Sequence, residues 1–171
     1  MRVHASAEAM NGVKDILSKH LEEIRRRIVE RMQDKGRSAS GRTAASLRIE
    51  VTEESGSLLG SSSFLALEKG RGPGAVPSNF YKIIEDWIKD KGIAVTPIQS
   101  KRKSAISAEE RGLKSLAGAI AYTIMTKGTR LHRSKKNDDI YSEVITEELE
   151  KMAGEISVGL SMEFDKINKE N

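Results

Sequence analysis

Cysteine is absent from the 171 residues, which excludes disulfides and thiolate metal sites and leaves the redox compartment open, since a cysteine-free chain tolerates either environment. Histidine is scarce. His4, His20 and His132 are the only imidazoles, and no two of them stand at the i, i+4 spacing of a helical metal pair, so no zinc or other metal site is expected. Aromatic residues make up 4% of the chain against 32% charged, a balance suited to long solvated helices rather than a sheet-rich core. Apolar runs fall well short of the ~20 residues that cross a bilayer. The N-terminus lacks the hydrophobic block of a secretory signal. A soluble chain without a membrane partner is therefore expected.

The chain's length suits one domain, spanning 1–171, because a chain of this size buries about two-thirds of its unfolded surface around a single core. The net charge is +4, and its distribution says more than its sum. Basic residues cluster at Arg25 to Arg42, Lys101 to Lys103 and Lys127 to Lys136, whereas the stretch after Asp138 is rich in glutamate. Each cluster can be a solvated face; together they suit a polyanion.

Periodicity organises the chain. Val13, Ile16, Leu17, Leu21, Ile24, Ile28 and Met32 recur at steps of three or four, which predicts a helix over 6–35 ended by Gly36, with Arg25, Arg26 and Arg27 mostly off the apolar stripe and facing water or a partner. "SLRIEVTE" alternates Leu47, Ile49 and Val51 with polar residues, the period-two signature of a half-buried strand. "SLLGSSS" and "FLALEKG" are short enough to be two more strands, giving a small antiparallel three-stranded sheet over 44–70 with Gly60 at a bulge or bend. A helix is predicted over 78–91, with Phe80, Ile83, Ile84, Trp87 and Ile88 on its core face, Ser78 as its cap and Gly92 at its end. An exposed basic loop covers 93–106. Ser107 and Glu110 form a capping box opening a helix over 107–127, and a last long helix runs over 138–168. Its stripe, from Ile140 to Ile167, outruns a small core and calls for another chain to cover it. The expected fold class is α+β: a three-stranded antiparallel sheet packed by amphipathic helices, with long first and last helices.

Two glycine-rich stretches resemble nucleotide loops without their context. "GRSASGRT", Gly36 to Thr43, follows a helix, opens a strand and carries Arg42 where a phosphate-binding loop has lysine. "GRGPGA", Gly70 to Ala75, fits G-x-G-x-x-A between an expected strand and a helix, with Asp90 about twenty residues on, as a dinucleotide fold would place its acid. Yet Pro73 has no N–H for a pyrophosphate, Pro77 delays the helix, and Glu68 and Lys69 stand where a buried parallel strand would be apolar. No cofactor follows. The structural reading of this stretch is a sharp corner, with Glu68 paired to Arg71. No serine lies in a nucleophile elbow and the carboxylates stand beside lysines, so no catalytic set converges and no enzymatic activity is expected. Trp87 reads as core, and His132 as a solvated residue in a basic loop.

Taken in order, "SGRTAASLRIEV", "LALEKGRGPGAVP" and "AYTIMTKGTRLHR" resemble the tail-completion and head-to-tail joining proteins of tailed bacteriophages. Most like them are versions in phages and prophages of Bacteroides-type hosts, where a "GRGPG" corner precedes a helix carrying Trp87, Ile88, Lys91, Gly92 and Ile93 in this numbering. The likeness spans about Gly41 to Ile145; the long first and last helices depart from it. It implies a non-enzymatic structural protein of the virion, assembled in the host cytoplasm. It also implies a homo-oligomeric ring at the neck or tail, between portal or adaptor and tail proteins, around the DNA channel. On that reading Glu68, Gly70, Arg71, Gly72, Pro73, Gly74 and Trp87 shape a corner or subunit contact, and Lys101, Arg102, Lys103, Arg130 and Arg133 are candidates to face packaged DNA non-specifically. The alternative is a free basic nucleic-acid-binding protein, which the net charge favours and the shortage of aromatics for base stacking opposes.

Overall fold

A computed structural model describes residues 7–52, 55–100 and 105–169. In chain order the elements are helix α1 (Ala7–Asp34), helix α2 (Arg42–Ala45), strands β1 (Arg48–Val51) and β2 (Gly56–Leu59), a 3-10 turn (Ser62–Leu65), and helices α3 (Ala66–Lys69), α4 (Phe80–Asp90), α5 (Ala108–Lys127), α6 (Arg130–Ser134) and α7 (Ser142–Lys169). They divide into two compact units. One is built from residues 1–37, 43–64 and 139–171, the other from 38–42 and 65–138.

The described sheet has two strands, not three. β1 and β2 pair antiparallel, with Arg48 opposite Leu59 and Val51 opposite Gly56, while the stretch expected as a third strand is the 3-10 turn and α3. Phe64, Leu65, Ala66 and Leu67 are consecutive apolar residues with no alternation, so periodicity does not distinguish strand from helix there, and Ala-Leu-Glu-Lys are all strong helix formers. The protein is mostly helical.

The first unit is a helix pair with the hairpin laid on it. α1 and α7 pack along one another and both strands pack on α1; Gly56 approaches so closely that a Cβ there would stand 2.6 Å from Leu21 Cδ1. Leu21, Ile24, Ile28, Met32, Leu47, Ile140 and Val144 are buried, and the rings of Phe64 and Tyr141 meet with centroids 5.0 Å apart. α1 stops where the sequence indicates. Gly36 takes φ 60°, and the Arg37 and Gly36 N–H groups reach back to the carbonyls of Met32 and Gln33, closing the last turn as a Schellman motif. α7 starts at Ser142 rather than 138, because Asp139 sits at φ 44°, which no continuing right-handed helix can accommodate.

In the second unit α4 packs on α5. Ile84 and Ile88 seat on Ala117 and Ala121, which are wholly or almost wholly buried, with Phe80, Val95, Leu113, Leu116, Ile120 and Ile124 around them. The alanines, one turn apart, let the isoleucine side of α4 approach closely. Trp87, expected in this core, is instead 38% exposed, and Ile83 40%. The apolar arc of α4 is wider than the face α5 can cover, so its edge stays in solvent. α4 begins with Phe80 N–H donating to the Pro77 carbonyl at 3.0 Å, and neither Ser78 nor Asn79 caps it with a side chain. Its end is a second Schellman motif, with Gly92 at φ 63° and the Ile93 N–H on the Ile88 carbonyl. Ser107 does cap α5, accepting from the Glu110 N–H at 3.1 Å.

Candidate functional site

The glycine corner and the basic turn, 58 residues apart in sequence, are one local structure. α3 ends at Gly70, whose φ is 74° and whose N–H donates to the Ala66 carbonyl. α5 ends at Gly128, with φ 77°, and Thr129 then caps α6, its hydroxyl accepting from the His132 N–H. That hydroxyl also accepts from the Arg71 N–H at 3.0 Å, and the Thr129 N–H donates to the Arg71 carbonyl at 2.8 Å. Glycine is required for this approach. A Cβ on Gly70 would lie 2.4 Å from Thr129 Oγ1 and 2.5 Å from the His132 nitrogen, and one on Gly128 would lie 2.7 Å from the Arg71 carbonyl oxygen. Gly72 faces the His132 ring, 3.3 Å from a built Cβ.

The remaining corner residues close the loop on itself. The Arg71 guanidinium donates to the carbonyls of Gly72, at 3.3 Å, and Ala75, and its Cζ stands 5.9 Å from the centre of the Phe80 ring. Gly74 donates its N–H to the Met125 carbonyl at 2.9 Å, while Pro73 is exposed. The expected ion pair between Glu68 and Arg71 is not formed; Arg71 spends its donors on carbonyls. Glu68 is fully buried at the end of a helix, not a strand, and its carbonyl accepts from the Asp138 N–H at 3.0 Å. Trp87 lies on α4 two turns beyond Phe80, so the α4 residue that meets the corner is Phe80. Thr129, at the centre of the interlock, was legible only as a residue after a helix stop. The other glycine loop opens α2, a single four-residue turn, which offers no helix end of the kind that holds phosphate.

The three basic clusters differ in what neutralises them. In the first, Arg25 and Arg26 pair with Glu22 and Glu23 on their own helix, while Arg27, expected to face water or a partner, reaches across to α7, as does Arg31. Arg27 meets Glu147 and Glu148, and Arg31 meets Glu143 at 2.6 Å. At the middle of this seam Glu148, 2% exposed, accepts from Lys151 at 2.6 Å and Arg27 at 2.9 Å, with His20 Nδ1 3.1 Å away. The Lys151 ammonium first, and the His20 and Arg27 donors with it, hold the Glu148 carboxyl down to about 2 against the desolvation that would raise it. His20 is itself buried, its Nε2 3.3 Å from a Glu155 oxygen without hydrogen-bond alignment, and Lys19 completes the row on Glu155 at 2.6 Å. No apolar pattern announces this seam, because its members are ordinary charged residues on two helices far apart in sequence.

The second cluster, Lys101, Arg102 and Lys103, lies outside the described residues. The third is different in kind from the first. Lys127, Arg130, Arg133, Lys135 and Lys136 are all exposed, no carboxylate occurs between Lys127 and Lys136, and among the described residues none of the five side chains makes an ion pair. α6 therefore presents its charge unneutralised, on a turn fixed by the Thr129 cap and the glycine corner.

Comparison with protein families, with curated proteins and with solved structures finds no match to this chain.

Proposed function

We propose that this protein is a structural subunit of a tailed-phage virion, a head-tail connector or tail-completion component that joins copies of itself into a ring around the DNA channel. The observation that carries the reading is the outer half of α7. Leu160 and Phe164, one turn apart, are 43% and 60% exposed on one side of the helix, and Val158 and Met162, 55% and 61% exposed, stand on the other. Covering side chains that are already about half buried is worth roughly half of the ~1.5–3 kcal/mol of complete burial each, so repeated contacts around a ring are what offset the loss of freedom on association. A second copy is the occupant that every molecule has at hand, and repetition of one contact around an axis closes a ring. Both strands of the described sheet also have an edge without a strand partner, a surface suited to the same use. The ordered likeness of the three quoted stretches to phage neck proteins supplies the setting, and the bonds of the corner to Thr129 and Met125 favour a shaping role for its glycines over a catalytic one.

The alternative, a free basic nucleic-acid-binding protein, draws on the unneutralised turn of α6 but leaves the apolar residues of α7 in water. Native mass measurement separates the two. The proposal expects one fixed copy number for the purified protein and a monomer for Leu160→Glu/Phe164→Glu, with helicity retained because both residues are exposed. A wild-type protein that stays monomeric at high concentration overturns it.

A further inference from the structure

We infer that the turn from Lys127 to Lys136 is a contact surface for the phosphate backbone of double-stranded DNA. Two groups of cations in this molecule differ in how far they are neutralised. A cation already held by a carboxylate has little potential left to offer a polyanion, and the α1 arginines are so held, by Glu22, Glu23, Glu143 and Glu147. The five cations of the α6 turn are exposed and have no such partner among the described residues. Arg130 and Arg133, three apart on α6, share one side of it. Lys135, in the left-handed conformation at φ 52°, reverses the chain immediately after the helix and keeps the last two lysines at the same turn.

The chemistry selects among polyanions. No phenylalanine, tyrosine or tryptophan lies between Lys127 and Lys136, and the one ring there, His132, stands against Gly72, so the turn is a poor platform for stacking the bases of a single strand. Nor does it offer a helix long enough to enter a groove, which leaves the duplex backbone as the match. The surface is also preorganised. Thr129 caps α6 and is bonded to Arg71 in both directions, so the turn does not have to be ordered on binding, a cost that a flexible basic tail pays. The setting of this contact, a channel filled with duplex, rests on the proposed neck role; the contact itself does not.

If each of the five cations meets a phosphate, log affinity falls against log salt with a slope approaching about −4.5. The test is fluorescence anisotropy of the full chain with a labelled duplex of mixed sequence across a salt series, in parallel with native mass measurement. Arg130→Gln/Arg133→Gln is expected to reduce the slope by about 1.8 and the affinity by roughly 10- to 60-fold near 0.1 M salt. Lys14→Gln/Lys169→Gln, which removes the same net charge elsewhere, is expected to leave both near wild type. Equal weakening by both variants, no duplex binding by wild type at low salt, or binding of polyglutamate-competing acidic polypeptide in place of duplex overturns the inference. Loss of duplex binding in the α6 variant of a protein that proves monomeric upholds it while sinking the ring. A wild-type ring whose duplex affinity is untouched by the α6 variant does the reverse.

Discussion

Replacing Glu148 by glutamine keeps the shape of a buried side chain and removes the negative charge that three donors share. With the carboxyl lowered from its ordinary 4.5 to about 2, and 1.36 kcal/mol for each pH unit between the folded and unfolded values, ionised Glu148 contributes about 3 kcal/mol at neutral pH. Because the folded value is the lower one, the folded state binds fewer protons between the two. The contribution is therefore complete above about pH 5 and is lost as pH falls, to less than half by about pH 3 and to a small remainder at about pH 2. The figure agrees with the usual cost, about 3–5 kcal/mol, of removing one partner from a buried ionic cluster. Far-UV circular dichroism is the appropriate assay, since α1 and α7 hold 28 residues each. At pH 7 Glu148→Gln should unfold about 6–12 °C below wild type, with the gap narrowing progressively below about pH 4. A deficit under about 1 kcal/mol at pH 7, or one that is the same at about pH 2 as at pH 7, would refute the assignment of Glu148 as the ionised centre of the seam.

Two further predictions concern glycines. Gly70→Ala places a Cβ 2.4 Å from Thr129 Oγ1 at a residue with φ 74°, so thermal melts should show at least about 2 kcal/mol lost; a neutral result would mean that the corner and the α6 turn do not interlock. Gly112→Ala and Gly154→Ala both put a better helix former into a helix, worth up to about 1 kcal/mol, yet should act in opposite directions. The first drives a Cβ to 2.2 Å from the Thr96 carbonyl oxygen and must displace the segment over α5, whereas the second meets nothing within 4 Å. The comparison fails if denaturant titration gives the two variants shifts of the same sign.

Much of the helical frame could be read in advance because its signals are local. Gly36 and Gly92 end helices through backbone geometry that only neighbouring residues set, and Ser107 caps α5 through a bond to a residue three places on. Stripes at steps of three or four identified α1, α4, α5 and α7. The third strand failed for an equally local reason: a four-residue apolar run has no period, and helix propensity decided it. The segment at 93–98, an exposed loop except at Val95, is tied to α5 by Ile98 N–H on the Ala108 carbonyl and by Arg111 on the Ile98 carbonyl, bonds between positions that no periodic pattern links.

The sequence by itself determined the four long helices α1, α4, α5 and α7 and the glycine stops of α1 and α4, which residues could be charged, and that no cysteine chemistry exists. Tertiary structure alone decided which charges remain available. Arg27 and Lys127 are alike in a one-dimensional reading, but Arg27 has Glu147 and Glu148 brought to it within its own unit, whereas Lys127 makes no ion pair among the described residues. Pairing depends on through-space distance between helices, which periodicity does not encode. The same holds for Gly70 and Thr129, whose requirement for one another appears only when the ends of α3 and α5 meet within van der Waals reach.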